Sequence, residues 1–147
     1  MKKKKVCETG ISLVFPRGHA LDRKKPPSLT DIAAYRVVVR RRSSATRRMI
    51  DASFAGKGLH PTNILEVGRC QSVMNFVQLG LGVGLVHTIC ACAEPYEKVR
   101  HIDMSRYFDE TDVALINRKN SAFGPTHQTL MQALFDSPSA RRHGTPG

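Results

Sequence analysis

Short apolar runs alternate with stretches of helical spacing along most of the chain. Ile11–Phe15 (ISLVF) is a β-prone run closed by Pro16 and Gly18. A polar, proline-marked connection, DRKKPP over 22–27, leads to Ser28, which is placed to N-cap the segment LTDIAAY with Asp31 completing a capping box. Residues 36–40 (RVVVR) predict a strand, and three valines in a row predict burial on both of its faces. The loop RRSSAT (41–46) runs into a helix over 46–58, with Ile50 and Phe54 one turn apart and Gly58 as a left-handed stop before Pro61. NILEV (63–67) is the next strand, Gln71–Leu79 the next helix, and GVGLVHTI (82–89) the third strand. Beyond these come a possible strand at 99–102, a strand over 112–118 (DVALINR) and an amphipathic helix over 126–135.

From residue 36 onward the order is strand, helix, strand, helix, strand with short connections. That order predicts right-handed crossovers and a parallel sheet in an α/β fold. The glycines of LGLGVG fit the same plan. Gly80 caps the helix in the left-handed conformation, while Gly82 and Gly84 enter the strand where another backbone or a ligand comes close. They follow a helix and open a strand, which is the reverse of a dinucleotide-binding fingerprint.

With 147 residues, 41% of them hydrophobic, the chain is long enough for one modest core. It lacks a run of 18 apolar residues, and its basic start lacks the apolar stretch of a signal peptide, so a cytoplasmic location without membrane contact is expected. Its net charge is +11, and residues 1–50 carry all of it, with 14 Lys/Arg against three acidic side chains. Such clusters contact phosphates, but no recognition helix, zinc finger or aromatic RNA-binding signature accompanies them. Cys90 and Cys92, with His87 and His101 nearby, raise a zinc reading. The C-x-C spacing lacks a second ligand pair, and free thiols are expected instead. No catalytic set is visible and no cofactor is expected.

The stretch from Gly18 to about Phe135 resembles the effector-binding domain of LysR-type transcriptional regulators. GHALDRKKPPSLTDIAAYRVVV is similar to that family's H-P-L segment with its short helix and strand. RSSATRRMIDASFAGKGLHPTNILEV is similar to its loop, helix and strand. FVQLGLGVGLVH is similar to its glycine segment in the form seen in the cysteine-regulon branch, and DVALINRKNSAFGPTHQTLMQALF to its closing strand and helix. The resemblance implies a type 2 periplasmic-binding-protein-like fold of two α/β lobes with a small ligand between them. It divides the chain into a basic start (1–10), a first-lobe fragment (11–26), a nearly complete second lobe (27–107), a returning first-lobe fragment (108–136) and a disordered tail (137–147). It also implies a truncated member, without the winged helix-turn-helix or the opening of the first lobe.

In such a fold the ligand sits where loops and helix N-termini face the cleft. Ser43, Ser44 and Thr46 open the first of the two longer helices, where hydroxyls and free N–H groups suit an anionic effector, or simply cap the helix. Arg69, Cys70 and Gln71 open the next helix; Arg69 is a carboxylate clamp, and Gly68 stands where the family often has Thr or Ser. Arg40–Arg42 line the same rim, at least two of them solvated. Cys70, at a helix N-terminus, is a candidate reactive thiol.

The reading is therefore a non-enzymatic sensing module for a small anionic metabolite. It self-associates through exposed first-lobe strands and meets DNA only through a DNA-binding domain outside this sequence, or weakly and non-specifically. Two readings of other classes stay open: a basic nucleic-acid-associated or partner-binding protein acting through residues 1–48, and a cysteine- or zinc-dependent enzyme built on Cys70, Cys90, Cys92 and His87.

Overall fold

A computed structural model describes residues 1–119 and 122–137. Its strands are β1 (Lys2–Thr9), β2 (Ile11–Pro16), β3 (Val37–Arg40), β4 (Ile64–Val67), β5 (Val83–His87), β6 (Val99–Asp103) and β7 (Thr111–Asn117). Its helices are α1 (Leu29–Ala33), α2 (Ala45–Gly56), α3 (Cys70–Gln78), α4 (Thr88–Ala91) and α5 (Pro125–Asp136). The described residues form two compact units, one over Gly10–Asp109 and the other joining Met1–Thr9 to those that follow Asp109.

The larger unit is built on a five-stranded sheet in the order β4-β3-β5-β2-β6. β3 is parallel to both β4 and β5, as the strand–helix alternation predicts, whereas β2 is antiparallel to β5 and β6. The alternation of side chains along β3 sets the layers. Val37 and Val39 pack on one face with Ile32 of α1 and with Ile50 and Phe54 of α2. Val38 packs on the other face with Val73, Met74 and Val77 of α3. All three valines are at most 2% exposed, so the expected burial on both faces holds. Ser28 caps α1 as its sequence predicts: the Asp31 N–H donates to Ser28 Oγ at 3.1 Å, and the Ser28 N–H donates to Asp31 Oδ2 at 2.8 Å. Gly58 and Gly80 take the left-handed conformation that ends their helices, with φ of 68° and 76°.

Gly84 shows why α3 is followed by a glycine-rich strand. A Cβ built there would lie 2.6 Å from Val73 Cγ1 and 2.8 Å from Val14 Cγ2, so the missing side chain lets α3 rest directly on the sheet. At Gly82 a Cβ would lie 2.5 Å from the carbonyl oxygen of Arg36.

Three expectations change. Residues 11–26 do not share a sheet with 111–117. β2 is an interior strand, every residue from Ile11 to Phe15 is buried, and both of its neighbours come from far later in the chain. Leu13 and Val14, expected to be left uncovered, are 0% exposed. The first ten residues are not merely an extended basic lead-in; Lys2–Thr9 pairs antiparallel with β7, from Lys2 opposite Asn117 to Thr9 opposite Thr111, with an irregularity between Lys5 and Cys7. The strand expected over 82–89 stops at His87, and residues 88–91 form a helical turn. In the smaller unit Lys5 pairs with Asp112 at 2.8 Å, and the Lys4 ammonium lies 4.0 Å from the Phe135 ring centroid. Of the tail expected to be disordered, residues 138–147 lie outside the described residues.

Because β2 is covered on both faces and bonded on both edges, amide hydrogen exchange at Leu13–Phe15 is expected to be as slow as at Val37–Val39. It is expected to be faster in Val113–Asn117 of the two-stranded sheet. Fast exchange at Leu13–Phe15 would place β2 outside the sheet.

Candidate functional site

Parallel strands β3, β4 and β5 all end at one edge of the sheet, and α2, α3 and α4 begin there. A helix start presents unsatisfied N–H groups and the positive end of its dipole, so this edge is suited to an anion. The antiparallel strand β2 starts at the same edge, with Ile11 opposite His87.

Ser44 is the N-cap of α2; its hydroxyl accepts from the Arg47 N–H at 3.1 Å, and the residue is 8% exposed. Thr46, in the first turn of α2, is buried and meets His87 across the edge, with Oγ1 and Nε2 2.9 Å apart. His87 is half-buried. Burial pushes its pKa below the ordinary histidine value, and Arg40 acts in the same sense against an opposing contribution from the Gly10 backbone. The neutral imidazole is thereby favoured. Beside it, Ser12 Oγ and Thr88 Oγ1 share a hydrogen bond of 2.8 Å.

Arg40 closes β3. The alternation that buries Val38 against α3 turns Arg40 to the same face, where its charge acts on Cys70, Cys90 and His87. Its Nε is buried without a hydrogen-bond partner among the described residues. Unpaired buried donors are costly and mark sites that a ligand or water completes. Arg41 and Arg42 are exposed, as expected of at least two of the three.

Arg69 is the N-cap residue of α3, but no side chain caps this helix, which leaves its first N–H groups open. Arg69 itself is exposed, and so is Gln71, which lines a cavity of about 200 Å³ with Cys90, Ile89, Ala93, Glu94 and Tyr96. Cys70 is half-buried and hydrogen-bonded to Cys90. That bond, aided by Arg40 and opposed by burial, holds the Cys70 thiol down to about 6, and the Cys90 thiol is pushed up correspondingly by the same bond.

The fold thus brings Thr46 to His87, with Ser44 capping the same helix, and sets Cys70 and Cys90 in helices that begin at the same edge. Ser43 and Arg69 stay on the exposed rim; the Ser43 carbonyl accepts from Arg48 Nη1 at 3.1 Å. Cys92 lies 3.8 Å from His101 Nε2, and no group of three or more His, Cys, Asp or Glu among the described residues is placed to hold a metal. No described helix is long and apolar enough to cross a membrane.

The family model described as LysR substrate binding domain matches residues 2–138, nearly the whole chain. The chain belongs to the LysR substrate-binding-domain family. As the form of its glycine segment implies, its relatives include regulators of the cysteine branch. The HTH-type transcriptional regulator CysB of Burkholderia cenocepacia is 32% identical over 130 residues, covering 88% of this chain and 41% of that protein. The regulator cbl of Klebsiella aerogenes is 33% identical over 104 residues, covering 71% of this chain and 33% of that protein. This LysR domain therefore spans less than half the length of the curated relatives it matches.

Solved structures agree on the fold. The cofactor-binding domain of the Cbl transcriptional regulator matches with a TM-score of 0.69 at 24% identity, covering 92% of this chain and 65% of that one. The effector-binding domain of QuiR, solved in complex with shikimate, matches with a TM-score of 0.70 at 17% identity, covering 98% of this chain and 67% of that one. The α/β fold of this LysR domain is accordingly the type 2 periplasmic-binding-protein-like fold of effector-binding domains.

Proposed function

We propose that this LysR domain is the effector-sensing part of a transcriptional regulator, and that its effector is a small anion received at the edge where α2 and α3 begin. The observation that carries this reading is Arg40: a guanidinium whose Nε is buried without a partner among the described residues, at the end of β3 on the face of the sheet where α3 packs. Thr46 and His87 supply neutral polar groups beside it, and the open N–H groups of α3 supply donors without a competing cap. A carboxylate or an oxyanion fits that set, because the site offers positive charge and donors and the acidic side chains it would repel are absent from the roles just named. Shikimate, the ligand of QuiR, and benzoate, the ligand of BenM, are carboxylates of this kind. Ser43, Arg69 and Gln71 line the approach, and the lysine and arginine clusters of residues 1–48 contribute at most sequence-neutral phosphate contacts to DNA. Self-association is assigned to the smaller unit, where Ile116 and Leu130 are 58% and 61% exposed.

The test is thermal stabilisation by sulfate, shikimate and benzoate. At about 100 times its dissociation constant a bound anion stabilises by ~2.7 kcal/mol. The double variant Arg40→Gln/Thr46→Ala is expected to lose that shift while keeping the unliganded melting temperature within a few degrees. An anion whose full shift survives in the double variant would put the site elsewhere, and the absence of a shift with every anion tried would remove the support for an anionic effector.

A further inference from the structure

Cys92 and His101 meet at the sheet's β6 side, on the face that carries Val14 and Val38. β6 runs beside β2, with His101 opposite Val14. Side chains alternate along it. Val99 packs into the cluster of Val14, Val38 and Ala91 of α4, and His101, two positions on, leaves from the same face. Arg100 leaves from the other face and pairs with Asp22 at 3.3 Å, so its charge is engaged away from His101. α4 ends at Cys92, whose N–H donates to the Thr88 carbonyl at 3.0 Å. One backbone is fixed by a helix end and the other by a strand ladder, and together they hold Cys92 Sγ 3.8 Å from His101 Nε2. Both residues are exposed, so this pair of donors is open to solvent.

We propose that Cys92 and His101 form a two-donor site for a soft monovalent metal ion of the Cu(I) class. An ion at ordinary thiolate and imidazole bond lengths, about 2.3 Å and about 2.0 Å, would bridge the 3.8 Å between them at an angle of about 120°. Neither element has to move to admit it. Donor type and donor number select the ion. A thiolate excludes the oxygen-seeking ions, and thiolate with imidazole suits zinc or copper. Structural zinc takes four protein ligands, whereas no group of three or more His, Cys, Asp or Glu among the described residues is placed to hold a metal. Cu(I) is soft and is held by as few as two donors.

On binding, the Cys92 thiol releases its proton to solvent and the sulfur gives an electron pair to the ion; Nε2 of neutral His101 gives the second pair. No electron changes hands, and the thiolate charge cancels that of the ion. The inference goes beyond the effector reading and does not rest on it, because neither residue belongs to the proposed anion site and the ligand is a cation.

The experiment titrates the reduced chain with Cu(I), under exclusion of oxygen, in competition with bicinchoninate. One copper per chain is expected, with one sulfur and one imidazole nitrogen around it in X-ray absorption. Equimolar copper is expected to shield Cys92 from N-ethylmaleimide when the peptides are mapped by mass. Both side chains are exposed, so Cys92→Ser and His101→Gln are expected to keep the parent's melting temperature, and each to weaken Cu(I) binding by about tenfold or more. His101→Gln separates a chelate from a merely accessible thiol, since it is expected to remove the shielding of Cys92 as well. The double variant Cys70→Ser/Cys90→Ser is expected to bind copper as the parent does. The idea is overturned if His101→Gln keeps the parent's affinity, if the double variant loses the copper, or if only sulfur surrounds the bound ion. Zinc bound at one ion per two chains and linking them would also overturn it, by making the pair half of a site shared between copies.

Discussion

Replacement of Gly84 by valine is expected to destabilise the larger unit by ~3 kcal/mol or more, seen as a lower urea midpoint at unchanged slope. The first added atom already meets Val73 Cγ1 at 2.6 Å, Val14 Cγ2 at 2.8 Å and Val77 Cγ2 at 3.1 Å. Those three valines are 0% exposed, so none can swing into solvent to make room. Two of them belong to α3 and the third to β2, so relief requires the helix to lift from the sheet along its length. That movement would uncover Met74 and Val38 as well. Gly56 is the control: a Cβ there meets nothing within 4 Å inside a helix, and Gly56→Ala is expected to stabilise by ~0.5–1 kcal/mol. A Gly84→Val chain with the parent's midpoint would mean that α3 does not rest on β5 as described.

The second large effect concerns Arg47, whose side chain is 3% exposed although it bears a full charge. Its Nε donates to Asp51 at 2.8 Å, and its Nη1 donates to Glu66 and to the Arg40 carbonyl, each at 3.1 Å. The carboxylates are 51% and 45% exposed. The two sides of this cluster are therefore unequal. Arg47→Met leaves two carboxylates that water already solvates and fills the vacated space with an apolar chain; a cost of about 1 kcal/mol is expected. Asp51→Ala/Glu66→Ala leaves a buried guanidinium with only a carbonyl to meet it, and breaking a buried pair in that way costs ~3 kcal/mol or more. Urea unfolding of the two variants at neutral pH is expected to rank them in that order. The reverse ranking would show that packing of the Arg47 stem, and not its charge, governs the cluster.

Much of this was legible from local signals. The three valines of β3 announced a strand buried on both faces, the Ser28–Asp31 spacing a capped helix, and Gly80 a left-handed helix end. Each depends on residues within a few positions of one another. What the sequence concealed depends on partners far away. Lys2–Lys5 has the composition of a solvated segment, and only pairing with residues more than a hundred positions later makes it a strand. Ile11–Phe15 was visible as a strand but not as an interior one, because its neighbours β5 and β6 are distant. At the candidate site, the place of Ser44 and Thr46 at a helix start is readable from neighbouring residues, while the partner of His87 lies 41 positions away. A usable signal did exist for Arg40. Counting by twos from Val38 places it on the face of α3 and separates it from Arg41 and Arg42, which follow the strand.

The position of β2 has a consequence for how the chain is made. Ile11 bonds opposite His87 and Ser12 opposite Asp103, so the strand synthesised earliest in the larger unit is among the last to find its neighbours. At about 5–20 residues per second, a ribosome needs on the order of 5–20 s to supply them. Throughout that interval Ile11–Phe15 is a nascent apolar strand with two open edges, and β3 and β4 can pair before it does. The sheet therefore takes in β2 only after its β3–β4 side has formed, and a chaperone holding Ile11–Phe15 would act in that window.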